Sequence, residues 1–274
     1  MKNLLTRSLT GALFVGVIIG AVFFGVSVFI GLFSVFTVVG VWEFYRIAGF
    51  KDSHNGSVKT GIYLSAFVFL LTSLVAAKLL PAKILLSIPA FMFPAVFSEL
   101  YRKKDSPVHN VALILFPSFY IALPFALLNY LFLTATASES PVLIISFFVF
   151  IWTNDSFAYL TGVSIGKHRL FERISPKKSW EGLFGGILFT ALAAFLISTK
   201  YDILNPWQWI VMGVIVSLAG TFGDLLESMF KRSAGIKDSG KILPGHGGVL
   251  DRFDGVLAAS PFVVFYLFVL GIIG

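Results

Sequence analysis

The chain is 274 residues long, 57% hydrophobic and only 13% charged, with 31 phenylalanines and a mean hydropathy of +0.89. A soluble fold cannot bury that much apolar surface, so the class to expect is a membrane protein. The net charge of +7 then reads as basic residues held in loops on one side of a bilayer rather than as a nucleic-acid surface, and the lack of cysteine excludes disulfides, zinc–thiolate sites and thiol nucleophiles.

The first 25 residues, MKNLLTRSLTGALFVGVIIGAVFFG, have a short basic start and then an apolar run, as a signal peptide does. No A-x-A cleavage site precedes the next apolar run, so this segment reads as an uncleaved first span. In chain order, nine candidate spans lie near 8–25, 27–47, 60–79, 82–98, 111–134, 141–163, 182–198, 206–231 and 255–273. Pro117 and Pro124 predict a kink or tilt in 111–134, and Pro89 and Pro94 interrupt 82–98. With this count, every lysine and arginine except Lys78, Lys83 and Lys200 falls on one side. The positive-inside rule makes that side cytoplasmic, with the N-terminus inside and the C-terminus outside. The expected fold is an all-α polytopic membrane body without repeats. Residues 1–135 supply packing and lipid-facing helices, and 136–274 supply the catalytic helices and loops. Gly16-x-x-x-Gly20 and Gly162-x-x-x-Gly166 have the spacing of close helix contacts.

Two cytoplasmic stretches carry the unusual chemistry, 152–186 and 221–255. In the second, Asp224, Glu227, Ser228 and Lys231 follow i, i+3, i+4, i+7 spacing and share one helical face. A carboxylate persists in a span where it faces a polar cavity, pairs with a cation or binds a metal. For Glu227 two roles stand open, an internal ion pair with Lys231 or a supporting metal contact. Asp224 has no basic residue one turn away in its own helix and is the better metal candidate. Asp251 and Asp254 sit three apart at the start of the last span. Helix-dipole capping accounts for one of them. Two beside a glycine-rich basic loop suit a hard divalent cation such as Mg²⁺ rather than zinc or copper.

That loop, KDSGKILPGHGGVLDRFD at 237–254, contributes Lys237, Asp238, Lys241 and Arg252, after Lys231 and Arg232. Gly245, Gly247 and Gly248 surround His246, so backbone N–H groups can turn toward an anion. His246 suits phosphate binding or charge stabilisation better than general base catalysis, because a phosphate nucleophile is already an anion. In the first stretch, SPKKSWEG brings Ser175, Lys177, Lys178 and Ser179 to the start of a span. The lysines either hold a substrate phosphate at free helix N–H groups or anchor anionic headgroups. Asp155 either joins the site or bonds to Asn154 or a neighbouring helix. Together, glycine, lysine and aspartate at a membrane boundary point to a phosphate-bearing, metal-bound substrate.

Residues 228–254 read Ser-x-x-Lys-Arg, then Lys-Asp-x-Gly, then Leu-Pro-Gly-His-Gly-Gly, then Asp-Arg-Phe-Asp. This resembles the signature of the phosphatidate cytidylyltransferase (CDP-diacylglycerol synthase) family, and SPKKSWEGLFGG resembles a second stretch common there. The resemblance implies that CTP and phosphatidic acid give CDP-diacylglycerol and pyrophosphate. It also implies Mg²⁺, with K⁺ as a possible second cation, a cytoplasm-facing site, a homodimer and a bacterial inner membrane. Onto this sequence it carries metal binding at Asp224 and Asp251, supported by Asp254 and Glu227. Phosphate neutralisation goes to Lys231, Arg232, Lys237, Lys241, His246 and Arg252. Competing classes are a CTP-dependent polyprenol or phytol kinase, an ion-coupled transporter using Asp155, Asp224 and Glu227, and a non-catalytic lipid-binding protein. Charge clusters on one face and the lack of an inverted repeat weigh against transport.

Overall fold

A computed structural model describes residues 2–49, 56–102, 106–132, 140–240 and 247–273. Among the described residues, eight helices are long and apolar enough to cross a bilayer, and Thr10–Phe23 adds a shorter apolar stretch within the first helix. The chain is thus an all-α polytopic membrane protein, and each expected span overlaps a described helix. It divides into two compact units, Met1–Tyr130 with Asp238–Arg252, and Leu131–Lys237 with Phe253–Gly274.

The first unit begins with α1 (Lys2–Phe23) and α2 (Val26–Ile47). The chain turns between them at Gly25, whose φ of 99° costs a glycine nothing and other residues a steric penalty. Buried on α2, Phe29 stacks on Phe33 at 4.1 Å, and Phe33 meets Phe125 edge-on at 5.4 Å. α3 (Gly56–Ala76) follows, then α4 (Ser87–Phe97) between two 3₁₀ turns, and α5 (Pro107–Pro117). A widened π turn over Ser118–Ala122 leads into α6 (Leu123–Leu127). The wide turn lies where two prolines predicted a kink. Pro117 has no N–H to donate to the Leu113 carbonyl one turn back. The buried Tyr45 hydroxyl of α2 donates to that carbonyl instead, at 2.8 Å. Tyr45→Phe should therefore lower stability by about 1–3 kcal/mol, the usual cost of a buried acceptor left unpaired. Thermal unfolding of the purified protein in detergent measures it.

The second unit holds α7 (Ser140–Ile165), a short hairpin, α8 (Trp180–Ser198), α9 (Pro206–Ser233) and most of α10 (Leu250–Val269). The hairpin pairs β1 (Arg169–Phe171) with β2 (Ser175–Ser179) antiparallel, which the all-helical sequence reading did not anticipate. Three- and five-residue strands are too short to impose a legible alternation between apolar and polar positions. Helix α9 opens with Pro206 at its first turn and a capping box between Asn205 and Gln208. Its Trp209 is fully buried, edge-on to Phe150. Gly162 of α7 packs against Gly182 of α8, whereas Gly16 and Gly20 have nothing within 4 Å of a built Cβ. The last helix starts at Leu250, earlier than the span expected at 255, so Asp251 occupies its first turn and Asp254 its second.

Candidate functional site

Within the second unit, α9 and α10 approach closely at glycines, and at Gly223 a side chain would collide with the facing backbone. A Cβ on Gly255 would lie 3.4 Å from the Gly220 Cα, and one on Gly223 would lie 2.5 Å from the Asp254 carbonyl oxygen. This backbone contact brings Asp254 of α10 to face Asp224 and Glu227 of α9, with Asp155 of α7 also within electrostatic reach. Asp224 lies roughly 27 Å along α9 from Pro206, at about 1.5 Å per residue, which is close to the full thickness of a bilayer's apolar core. Four carboxylates thus gather near one end of the membrane-crossing helices of this unit.

Their cations come from two sources. Asp224 has no basic neighbour one turn away on α9, but β2 supplies one: Lys178 Nζ lies 2.7 Å from Asp224 Oδ2 and donates to the Thr221 carbonyl at 3.2 Å. The hairpin therefore presents Lys178 to the acidic face. Ser228 Oγ donates to Asp224 Oδ1 at 3.2 Å, as the shared helical face predicts. Glu227 and Lys231 form the i, i+4 ion pair that was one of the two sequence alternatives, and both are almost fully buried. Asn154, buried beside Asp155, donates its amide to Thr221 Oγ1 at 3.4 Å rather than to Asp155.

The remaining residues expected in the site divide between solvent and structure. Ser175 pairs with Phe171 in the hairpin register, and Lys177 is exposed on β2. Ser179 caps α8 by accepting the Gly182 N–H at 3.1 Å, which fixes the hairpin's exit into the span. Arg232, Lys237, Asp238 and Arg252 are exposed, and the Arg232 guanidinium donates to the Ile236 carbonyl at 3.0 Å. Lys241, Gly245 and His246 lie outside the described residues.

Asp251 belongs to the first unit, where its Oδ2 accepts from Ser239 N–H at 2.8 Å, Ser239 Oγ at 2.9 Å and Gly248 N–H at 2.8 Å. Expected as a metal ligand, it here ties together the two ends of the glycine-rich loop. Gly247 has φ of +84°, and a Cβ there would strike the Asp251 carboxylate. A second carboxylate, unforeseen from sequence, meets the same loop. Glu43 of α2 is fully buried and accepts from Leu250 N–H at 2.9 Å and Ser239 Oγ at 3.3 Å. Its signal was present: Glu43 is a lone carboxylate inside an apolar span, which marks a polar partner elsewhere in the fold. Glu181, also not singled out, accepts from His168 Nδ1 at 2.6 Å at the base of the hairpin.

Among the described residues, no three carboxylates or imidazoles form a closed metal cage. Magnesium does not require one, because it is commonly held by one or two carboxylates while water and substrate phosphates fill the other positions. Asp224, partly exposed, and the facing Asp254 offer hard oxygen donors of that kind.

A family model described as the cytidylyltransferase family matches residues 5–270. The chain is 42% identical over 135 residues to a phosphatidate cytidylyltransferase of Staphylococcus epidermidis, covering 49% of this chain and 52% of the relative. It is 46% identical over 136 residues to one of Staphylococcus aureus, with the same shares covered. It is 43% identical over 134 residues to one of Haemophilus influenzae, covering 47% of this chain and 46% of the relative. The matched region thus spans about half the length of these curated relatives.

Proposed function

The chain belongs to the cytidylyltransferase family, and from that membership we propose that it transfers CMP from CTP to phosphatidic acid, giving CDP-diacylglycerol and pyrophosphate. The observation that carries this reading is the set of carboxylates Asp155, Asp224, Glu227 and Asp254 on apolar helices, with Lys178 and Lys231 paired into it. Such groups are costly within a membrane even when paired, and their retention marks a functional site by default. That the relatives are phosphatidate cytidylyltransferases supports it.

A lipid phosphate oxygen attacks the CTP α-phosphorus in line. The new P–O bond forms as the bond to the β-phosphate breaks, and pyrophosphate leaves with that electron pair. No general base is required. Asp224 and Asp254 would hold Mg²⁺, which when bound screens the repulsion between the two phosphates. Lys178 turns from Asp224 toward incoming phosphate and neutralises it. Lys177, Arg232, Lys237, Lys241, His246 and Arg252 serve as further phosphate contacts, and Ser239–Gly248 frames the loop that carries two of them. Lys231 pairs with Glu227 and holds it in place. The N-terminus and the site face the cytoplasm of a bacterial cell membrane, the chain works as a homodimer, and K⁺ is a candidate second cation.

Purified protein supplied with phosphatidate, Mg²⁺ and CTP labelled at the α- or the γ-phosphate tests the reading. α-Label should enter lipid and pyrophosphate should be released in equal amount. γ-Label in lipid would identify a lipid kinase, and no label in lipid would remove the enzymatic reading.

A further inference from the structure

We infer that Glu43, on the second helix, is a positioning residue for the glycine-rich loop, acting from almost two hundred residues away in sequence. The inference rests on the reading above that this loop contacts substrate phosphate. Glu43 is 0% exposed, and one of its oxygens holds both flanks of the loop. Oε2 accepts from Ser239 Oγ before the glycine segment and from Leu250 N–H after it. Gly240 and Gly248 lie flat against the same carboxylate, and a methyl group on either would collide with it. Asp251 Oδ2 closes the other side through Ser239 and the Gly248 N–H. Two carboxylates, one from α2 and one from α10, thus pin residues 239 and 248–250 together. The described residues on either side of positions 241–246 are thereby fixed to one another.

This arrangement makes a specific kinetic demand. Flanks held at a fixed spacing limit the conformations open to the chain between them. When the clip is loosened, apparent affinity falls by the fraction of time the loop remains in place. Chemistry at saturating substrate is much less affected, because bound substrate restores the loop. Glu43→Gln keeps the shape but exchanges one acceptor oxygen for an NH₂ group that can only donate, a mismatch for a site met by the N–H of Leu250 and the hydroxyl of Ser239. It should raise the KM for CTP about tenfold or more while kcat falls less than about threefold. Amide exchange at Ser239, Gly248 and Leu250, whose N–H groups the clip binds, should quicken at least about tenfold, with α8 and α9 unchanged. Glu43→Asp should recover part of both effects.

Ser239→Ala provides a variant that leaves the core of α2 intact. It removes the hydroxyl shared by the two carboxylates and should shift exchange and KM in the same direction. Unchanged exchange at Ser239, Gly248 and Leu250 in both variants would overturn the positioning role whatever the activity. So would a loss confined to kcat. Faster exchange with KM and kcat both unaltered would uphold the clip and instead remove the loop from substrate binding, so the two readings fail separately.

Discussion

Asp224→Asn should leave the protein inserted and folded yet reduce kcat for CMP transfer about a thousandfold, roughly 4 kcal/mol of transition-state stabilisation. The substitution keeps size and shape and deletes the negative charge. Its structural partner is Lys178, and that pair is partly exposed, with the Asp224 side chain 41% accessible. Exposed pairs contribute little to folding, so lost activity cannot be ascribed to unfolding. The lost charge matters for the reaction, where Asp224 with Asp254 is assigned to a divalent cation between two phosphates. Initial rates with phosphatidate, CTP and varied Mg²⁺ provide the check, beside a thermal unfolding curve. Activity within tenfold of the unsubstituted protein would remove Asp224 from the metal site. Asp254→Asn should behave alike, because the two carboxylates face each other across the glycine contact of α9 and α10.

The second large effect concerns folding. Lys231→Met should destabilise the protein by about 3–5 kcal/mol, because it leaves the Glu227 carboxylate buried with its cation gone. Glu227→Gln combined with Lys231→Met should recover much of that loss, since the charge and its partner then leave together. Unfolding midpoints of the single and double variants in one detergent measure the difference. If Lys231→Met were as stable as the unsubstituted protein but inactive, Lys231 would contact substrate directly, the role its place in the sequence motif suggests.

These two residues show how far the sequence alone could be followed. Hydropathy located the spans, since about twenty apolar residues leave few alternatives to a membrane helix. Helical spacing put Asp224, Glu227, Ser228 and Lys231 on one face, and the bonds from Ser228 to Asp224 and from Lys231 to Glu227 are that spacing made physical. Lys178 was noticed as a phosphate candidate, but not as the partner of Asp224, because the link passes through a hairpin too short to leave a pattern. Glu43 stands out in the sequence as a carboxylate inside a span, but its partners do not, for a different reason. Its partners are Ser239 and Leu250, and no local rule of period or capping connects positions so far apart. Asp251 was read from its chemistry, whereas its hydrogen bonds to Ser239 and Gly248 depend on how the chain turns between them.

The bare contact of Gly220 and Gly223 with Gly255 and Asp254 has a mechanical consequence. With no side chain between them to change rotamer, the two helices lack the slack by which most membrane helices slide. A bilayer that thins or thickens would tilt them as one stiff rod, and the spacing of Asp224 and Asp254 would survive changes in acyl-chain length. The two carboxylates would then keep their separation as the composition of the surrounding lipid drifts.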